Sequence, residues 1–147
     1  MGSFRSADTR VHDQAVLTAA DRPEWLSELD PSGRPNWLGD GESITYWTRL
    51  PHGAARRIAT AASPTVVDER GRMHGSYDVG AATMAQLREG IVDWTVFDEH
   101  GLKVAWDARR AEELIDGLPL PVITELGERI GRDEPPLVAE GEQSPNA

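Results

Sequence analysis

The segment Ile91–Trp106, IVDWTVFDEHGLKVAW, decides the fold, because two apolar runs flank an acidic turn that contains a glycine. The β-branched and aromatic residues of the two runs favour extended chain. A three-residue loop, Glu99–Gly101, would place Gly101 at the left-handed position that such loops require. The segment therefore predicts a β-hairpin.

The apolar side chains also determine the register of this hairpin. A three-residue loop pairs Val96 with Val104, and it places Trp94 and Trp106 opposite each other. Any even-length loop would instead set Val96 against Lys103. The register therefore predicts that the two tryptophans lie on one face and together cover a small core.

A strand and a helix are predicted well before the hairpin. Ser43–Leu50, SITYWTRL, is rich in strand formers that alternate along the chain, which indicates a strand. Pro51 ends it, and the Ala- and Arg-rich segment His52–Ala62 predicts a short helix. The polar stretch that follows, Ser63–Ser76, indicates either a loop or a weak hairpin around Arg70–Gly71.

The helix next to the hairpin has an ambiguous end. Asp78 is a suitable N-cap for a helix over Val79–Glu89. Apolar residues continue at helical spacing into the hairpin segment, so the helix could run on. Gly90 and the β-branched residues after it favour extended chain, and we therefore predict that the helix ends near Gly90.

Two more helices are predicted after the hairpin. Asp107 can cap a helix over Ala108–Asp116, with Gly117 as its stop. The last helix begins at Pro119 or Pro121, since proline is favoured in the first turn. Gly131 ends that helix. The apolar stripe of this last helix is Val122, Ile123, Leu126 and Ile130.

These elements predict an α+β fold that is mainly α, a small helical domain with a short strand and hairpin component and flexible termini. We expect an N-terminal arm over residues 1–41, partly disordered, the domain over residues 42–131, and a disordered acidic tail over residues 132–147. The tail is acidic and proline-rich with few apolar residues, so it cannot bury enough surface to fold. The predicted structural core is Trp94, Val96, Val104, Trp106, Leu114, Ile123 and Leu126.

Composition excludes several classes of function. The 147 residues carry a formal net charge of -10, which disfavours nucleic acid as a partner. There is no cysteine, so thiolate metal sites and cysteine nucleophiles are excluded. No apolar run is long enough to span a membrane, and the N-terminus lacks the apolar region of a signal peptide, so we expect a cytoplasmic protein without membrane contact.

The motifs of enzymes are missing from the sequence. The four histidines (His12, His52, His74 and His100) are scattered without metal-ligand spacing. No nucleophile elbow, phosphate-binding loop or dinucleotide-binding motif is present. We therefore predict no catalytic residue, no metal and no cofactor.

The N-terminal arm contains a pentapeptide twice, RPEWL at Arg22–Leu26 and RPNWL at Arg34–Leu38. One interpretation is a pair of docking elements that press Trp25, Leu26, Trp37 and Leu38 into a partner. The other is chance similarity, with an arm that wraps its own domain. Tryptophan is costly to leave in water, so both copies should pack on something.

The segment from Leu87 to Ile130 resembles tail assembly chaperones of siphophages, especially those that infect actinobacteria. The features that carry the resemblance are Trp94, the Asp98–Gly101 turn, the helix over Ala108–Asp116 and the Leu118–Pro119 pair before the last helix. The upstream ITYWTRLPHGAARRI is similar to the strand and polar helix of that family. Trp106 departs from the pattern, since a proline or polar residue is usual there.

The resemblance implies a non-enzymatic protein of the infected cell's cytoplasm. It would bind the tape measure protein, keep it soluble, and assist tail tube assembly, with possible contacts to the tail tube protein or to a second copy. The alternative is a virion structural or adaptor protein with a related domain. A small regulatory or enzymatic protein is a third possibility.

Overall fold

The fold combines antiparallel β-sheets with α-helices. The computed structural model describes residues 13–63, 65–75 and 77–133. Its strands are β1 (Gln14–Thr18), β2 (Ser43–Trp47), β3 (Thr65–Val67), β4 (Met73–Gly75), β5 (Ile91–Phe97) and β6 (Lys103–Val104). Its helices are α1 (Ala54–Ala62), α2 (Val79–Gly90), α3 (Ala111–Asp116) and α4 (Leu120–Arg129), with 3₁₀ turns at Ala19–Asp21 and Ala108–Arg110.

The main sheet has the strand order β1-β2-β5-β6, and every neighbouring pair is antiparallel. Leu17 of β1 lies opposite Ile44 of β2, and Ile44 lies opposite Trp94 of β5. These three side chains are buried. Their alternation with half-exposed residues is typical of a sheet that packs one face on a core.

The helices complete the core on that sheet. Strand and helix side chains form one apolar cluster, to which the helices contribute Leu87, Leu114, Ile115, Val122 and Leu126. Burial of each large apolar side chain stabilises the fold by roughly 1.5–3 kcal/mol. The core therefore depends on strands and helices together.

The predicted hairpin is confirmed in its loop and its register. Gly101 has a φ of 78°, the left-handed conformation expected of it. The Asp98 N–H donates to the Leu102 carbonyl at 2.8 Å, and Val96 lies opposite Val104. The rings of Trp94 and Trp106 meet edge to face with centroids 4.9 Å apart.

The same turn occurs three times among the described residues, at Asp30–Arg34, Asp68–Arg72 and Asp98–Leu102. In each, the backbone of the aspartate pairs with that of the fifth residue, and the glycine N–H donates to the aspartate carbonyl at 2.9–3.0 Å. The aspartate carboxylate accepts the N–H of the third and fifth residues. The turn at Asp68–Arg72 joins β3 to β4, so the hairpin alternative for this region is confirmed.

The predicted helix boundaries are largely confirmed. The Asp78 carboxylate accepts from the Ala81 N–H at 3.0 Å, and α2 ends at Gly90 where β5 begins. Asp107 accepts from the Arg109 N–H at 2.9 Å, although the first turn after it is 3₁₀. Gly131 has a φ of 74°, as its role as a stop requires. Gly117 has a φ of -80°, so α3 ends without a left-handed residue.

The expectation of a mainly α fold is wrong. The described residues hold four α-helices and a four-stranded antiparallel sheet, so the fold is mixed α/β. The expectation missed β1, because its sequence QAVLT is short and its partner β2 lies 25 or more residues away along the chain. Strand pairing at that distance depends on tertiary packing and leaves a weak local signal.

The termini of the described region both join this sheet. β1 belongs to the predicted N-terminal arm, yet its Leu17 is fully buried in the core. At the other end, the N–H groups of Gly131 and Asp133 donate to the carbonyls of Trp47 and Thr48 at 3.1 and 2.9 Å. The first residues of the predicted tail therefore lie along the end of β2, while residues 134–147 lie outside the described residues.

Candidate docking surface

The seven residues of the predicted structural core belong to the apolar cluster or pack against it. Trp94, Leu114 and Leu126 are buried. The remaining members are partly buried and pack against the same cluster; they are Val96, Val104, Trp106 and Ile123. The Trp94 indole N–H donates to the Val104 carbonyl at 2.8 Å, which holds the hairpin over the core.

The expectation that Trp37 and Leu38 form an exposed anchor is contradicted. Their side chains are 5% and 6% exposed and belong to the core. The Trp37 indole N–H donates to the Thr18 carbonyl at 2.9 Å, on the edge of β1. The missed strand is the physical reason, since without β1 nothing in the sequence indicated what Trp37 would pack on.

The first pentapeptide behaves differently. The Trp25 side chain is 82% exposed, the most exposed large apolar side chain among the described residues. Leu26 is half-buried and packs against the core. Of the four predicted partner-binding residues, Trp25 alone is exposed.

The described residues form an apolar depression of about 400 Å³ beside α1, which we call the α1 groove. Its floor on α1 consists of small side chains, Ala55, Ala59 and Ala62, with Ile58 beside them. The remaining lining residues are Leu50, Ser63, Tyr77, Gln86, Ile130 and Gly131. No lining residue carries a charge, which suits the groove to an apolar ligand.

Close packing between α2 and the end of α4 fixes one wall of the groove. The Gln86 amide donates to the carbonyls of Gly127 and Ile130 at 2.8 and 3.0 Å. Gly90 lies against Ile130, and a Cβ added there would come within 2.7 Å of Ile130 Cδ1. Gly90 therefore permits the approach that positions Ile130 in the wall.

The segment between α1 and α2 borders the groove. The two ends of this segment lie next to each other, because the Asp78 N–H donates to the Ala62 carbonyl at 2.7 Å. Four side chains in or next to it are large, apolar and more than 60% exposed: Val67, Met73, Tyr77 and Val79. Apolar side chains concentrated in this way are a mark of an interaction surface.

Three exposed arginines are sequence neighbours of residues that line the groove. Arg49, Arg56 and Arg132 are exposed and adjoin lining residues in the chain, and we call them the arginine rim. Arg57 is not counted with them, because it pairs with Glu89 at 2.7 Å.

A second depression of about 400 Å³ lies near the start of α3, and two of its three lining arginines are paired with glutamates. Arg88 contacts Glu112 at 3.5 Å, and Arg110 contacts Glu113 at 3.0 Å. Its walls are therefore exposed ion pairs, which contribute little and offer no apolar anchor.

The ionisable groups whose pKa values are shifted lie in hydrogen-bonded ion pairs or in a turn. A hydrogen bond from the Ser32 hydroxyl is the main reason that the pKa of Asp30 is lowered. Hydrogen bonds to Tyr46 and then to Glu125 raise the pKa of Arg129. Glu89 raises the pKa of Arg57. The same effect couples Arg110 and Glu113, whose pKa values are raised and lowered respectively.

Two of the four histidines can be placed with their side chains. His52 and His100 are exposed, and His12 lies outside the described residues. Within residues 13–63, 65–75 and 77–133, no group of three or more histidine, aspartate or glutamate residues could hold a metal ion.

The helices of the described region are also too short or too polar to cross a membrane. Compared with known protein families, curated proteins and solved structures, the chain matches none.

Proposed function

We propose that this chain is a non-enzymatic tail assembly chaperone of a siphophage, which binds the tape measure protein through the α1 groove. The observation that carries the proposal is the open, uncharged groove bordered by exposed apolar side chains. The resemblance of the segment from Leu87 to Ile130 to tail assembly chaperones supports the choice of partner.

The geometry of the groove suits an apolar helix. Ala55, Ala59 and Ala62 lie on one side of α1, and their small side chains let a second backbone approach closely. A helix that lays its apolar face into such a groove is a common mode of recognition. A tape measure protein is long and helix-rich in the resembled family, and it needs such cover before the tail tube encloses it.

The net charge supports the same role. A chain with a formal charge of -10 stays soluble when it covers an apolar partner. The complex would form in the cytoplasm of the infected cell, and no catalytic group is needed. Tail tube subunits would then displace the chaperone as they polymerise around the tape measure protein.

A pair of adjacent substitutions on α1 tests the groove. Ala59 and Thr60 are both exposed, but only Ala59 lines the groove. We expect Ala59→Glu to reduce the affinity for a co-expressed tape measure protein at least tenfold, because it places a charge on an apolar contact. Thr60→Glu adds the same charge outside the groove and should leave binding unchanged.

The readout is the fraction of tape measure protein that stays soluble and co-purifies with the chain. Equal binding by the two variants would overturn the groove as the binding site. Recovery of this chain as a stoichiometric part of purified virions would instead indicate a structural component of the particle.

A further inference from the structure

Strand β1 lies at an edge of the main sheet, and among the described residues it pairs with β2 alone. Along an antiparallel pair, successive residues direct their backbone groups alternately toward the neighbouring strand and away from it. The Thr48 N–H donates to the Asp13 carbonyl at 2.6 Å, so Asp13 and every second residue after it face β2. Gln14, Val16 and Thr18 therefore direct their N–H and carbonyl groups to the side without a strand.

Side chains occupy one end of that side. The Thr18 N–H donates to the Asp21 carboxylate at 2.8 Å, and the Thr18 carbonyl accepts from the Trp37 indole at 2.9 Å. Within the described part of the chain, the outward groups of Gln14 and Val16 have no such partner. These two residues form what we call the open edge, which offers two N–H donors and two carbonyl acceptors.

A second copy of this chain is complementary to the open edge. If two β1 strands run antiparallel about a two-fold axis at Ala15, Gln14 of each copy lies opposite Val16 of the other. Each of these two pairs exchanges two backbone hydrogen bonds, so four bonds satisfy every donor and acceptor of both open edges. An axis at Val16 would instead need the backbone groups of Thr18, which are already bonded.

The side chains suit the same register. Ala15 has the smallest side chain of β1, and it would lie on the axis, where facing Cα atoms are about 4.5 Å apart. Val16 is 49% exposed, and Gln14 of the second copy would cover it. Edge strands are commonly protected from such pairing by a charge, a proline or a bulge, whereas β1 reads QAVLT and pairs with β2 in a regular register.

We propose that this chain forms a homodimer through β1, in which the two main sheets join across a two-fold axis at Ala15. No residue of β1 lines the α1 groove, so the dimer does not depend on the proposed function. Each copy carries a formal charge of -10, and association should therefore strengthen as salt screens the repulsion between the copies.

A proline in the open edge tests the proposal on the full chain. Val16→Pro removes an outward N–H, while the bonds of Ala15 and Leu17 to β2 stay in place, since edge strands tolerate proline where the N–H faces away from the sheet. We expect the dissociation constant of the dimer, measured by sedimentation equilibrium, to rise about tenfold or more because two of the four bonds are lost. Val16→Thr is the control, because it keeps the N–H and the β-branched shape and should dimerise like the parent.

A pair of cysteine variants tests the register without changing the backbone. The sequence has no cysteine, so each variant carries one thiol per copy. Ala15→Cys places two thiols on the axis, at a Cα separation that a disulfide can bridge, whereas the Val16 residues of the two copies are diagonal neighbours about 8 Å apart. Under mild oxidation we expect Ala15→Cys to form disulfide-linked dimers several-fold faster than Val16→Cys, although Val16 is the more exposed residue.

Four results would overturn the proposal. A parent chain that stays monomeric at every accessible concentration and salt would reject the dimer. Association that Val16→Pro leaves unchanged would place the interface elsewhere. Faster cross-linking of Val16→Cys would reflect exposure in random encounters and not the proposed register. Protection of the Val16 amide from hydrogen exchange in a monomeric chain would show that another segment of the same chain covers the open edge.

Discussion

The two RPxWL pentapeptides share four of five residue types, but their tryptophans differ in burial. Trp25 in the first copy is 82% exposed, whereas Trp37 in the second is 5% exposed. Both copies sit in proline-rich chain with little regular structure around them. The difference therefore comes from what each copy lies against, and the pentapeptide itself does not determine it.

The path of the arm explains the difference. The Asp30–Arg34 turn reverses the chain, with a bridge between Leu29 and Pro35. The reversal carries Trp37 back to β1, where its indole bonds the Thr18 carbonyl. Trp25 lies in a turn before the reversal, closed by the Arg22 guanidinium on the Leu26 carbonyl. A core tryptophan and a surface tryptophan thus arise from one local pattern.

The largest effect is expected at Trp37. Trp37→Ala removes a buried ring and a hydrogen bond, so it should lower the free energy of unfolding by about 3–5 kcal/mol. The melting temperature should fall by on the order of 10 °C. Trp94→Ala is the matched control, since Trp94 is equally buried and also bonds a carbonyl. If the Trp37→Ala variant melts at the same temperature as the parent chain, Trp37 does not contribute to the core.

Local patterns in the sequence were sufficient for the β5–β6 hairpin. Its turn has a D-x-x-G pattern, and its register follows from pairing apolar residues across that turn. The same pattern stands at Asp30–Gly33 and Asp68–Gly71, where it forms the same hydrogen bonds. A search of the sequence for the pattern would have found all three turns.

Contacts between segments that are distant in the chain could not be predicted from the sequence. β1 is recognisable as a strand only once β2 lies beside it, and the burial of Trp37 depends on β1. The α1 groove combines residues from Leu50 to Gly131, so its lining could not be inferred before the fold was known. The missed sheet and the misplaced tryptophan therefore have one cause, which is the pairing of distant segments.

A variant with a smaller expected effect separates the contribution of the Trp37 ring to stability from that of its hydrogen bond. Trp37→Phe keeps most of the apolar surface but leaves the Thr18 carbonyl without its donor. An unsatisfied buried acceptor costs about 1–3 kcal/mol. Urea unfolding should show a loss in that range, with an unchanged slope. A loss as large as that of Trp37→Ala would indicate that the hydrogen bond, and not burial, holds the arm.

The reversal between the two copies should respond to acid. The pKa of Asp30 is lowered, chiefly by the Ser32 hydroxyl and then by the Arg34 N–H. Its carboxylate therefore stabilises the turn above the unfolded pKa of about 3.9 and loses that contribution as pH falls through the folded value. The amide shifts of Ser32 and Arg34 should titrate together below pH ~4. In Asp30→Ala this titration should be absent at every pH.

The smallest effect on stability is expected at Trp25. Its exposed ring contributes little to the folded state, so Trp25→Ala should change the free energy of unfolding by less than about 0.5 kcal/mol. An exposed tryptophan that stability does not require is a characteristic anchor for a partner. The same variant should therefore weaken association with a tape measure fragment, measured by calorimetry beside the unchanged melting curve. Leu26→Ala is the control, because Leu26 packs against the core and its loss should lower stability first. If Trp25→Ala melts early, the first copy is a structural element like the second, and the contrast between the two pentapeptides is one of exposure alone.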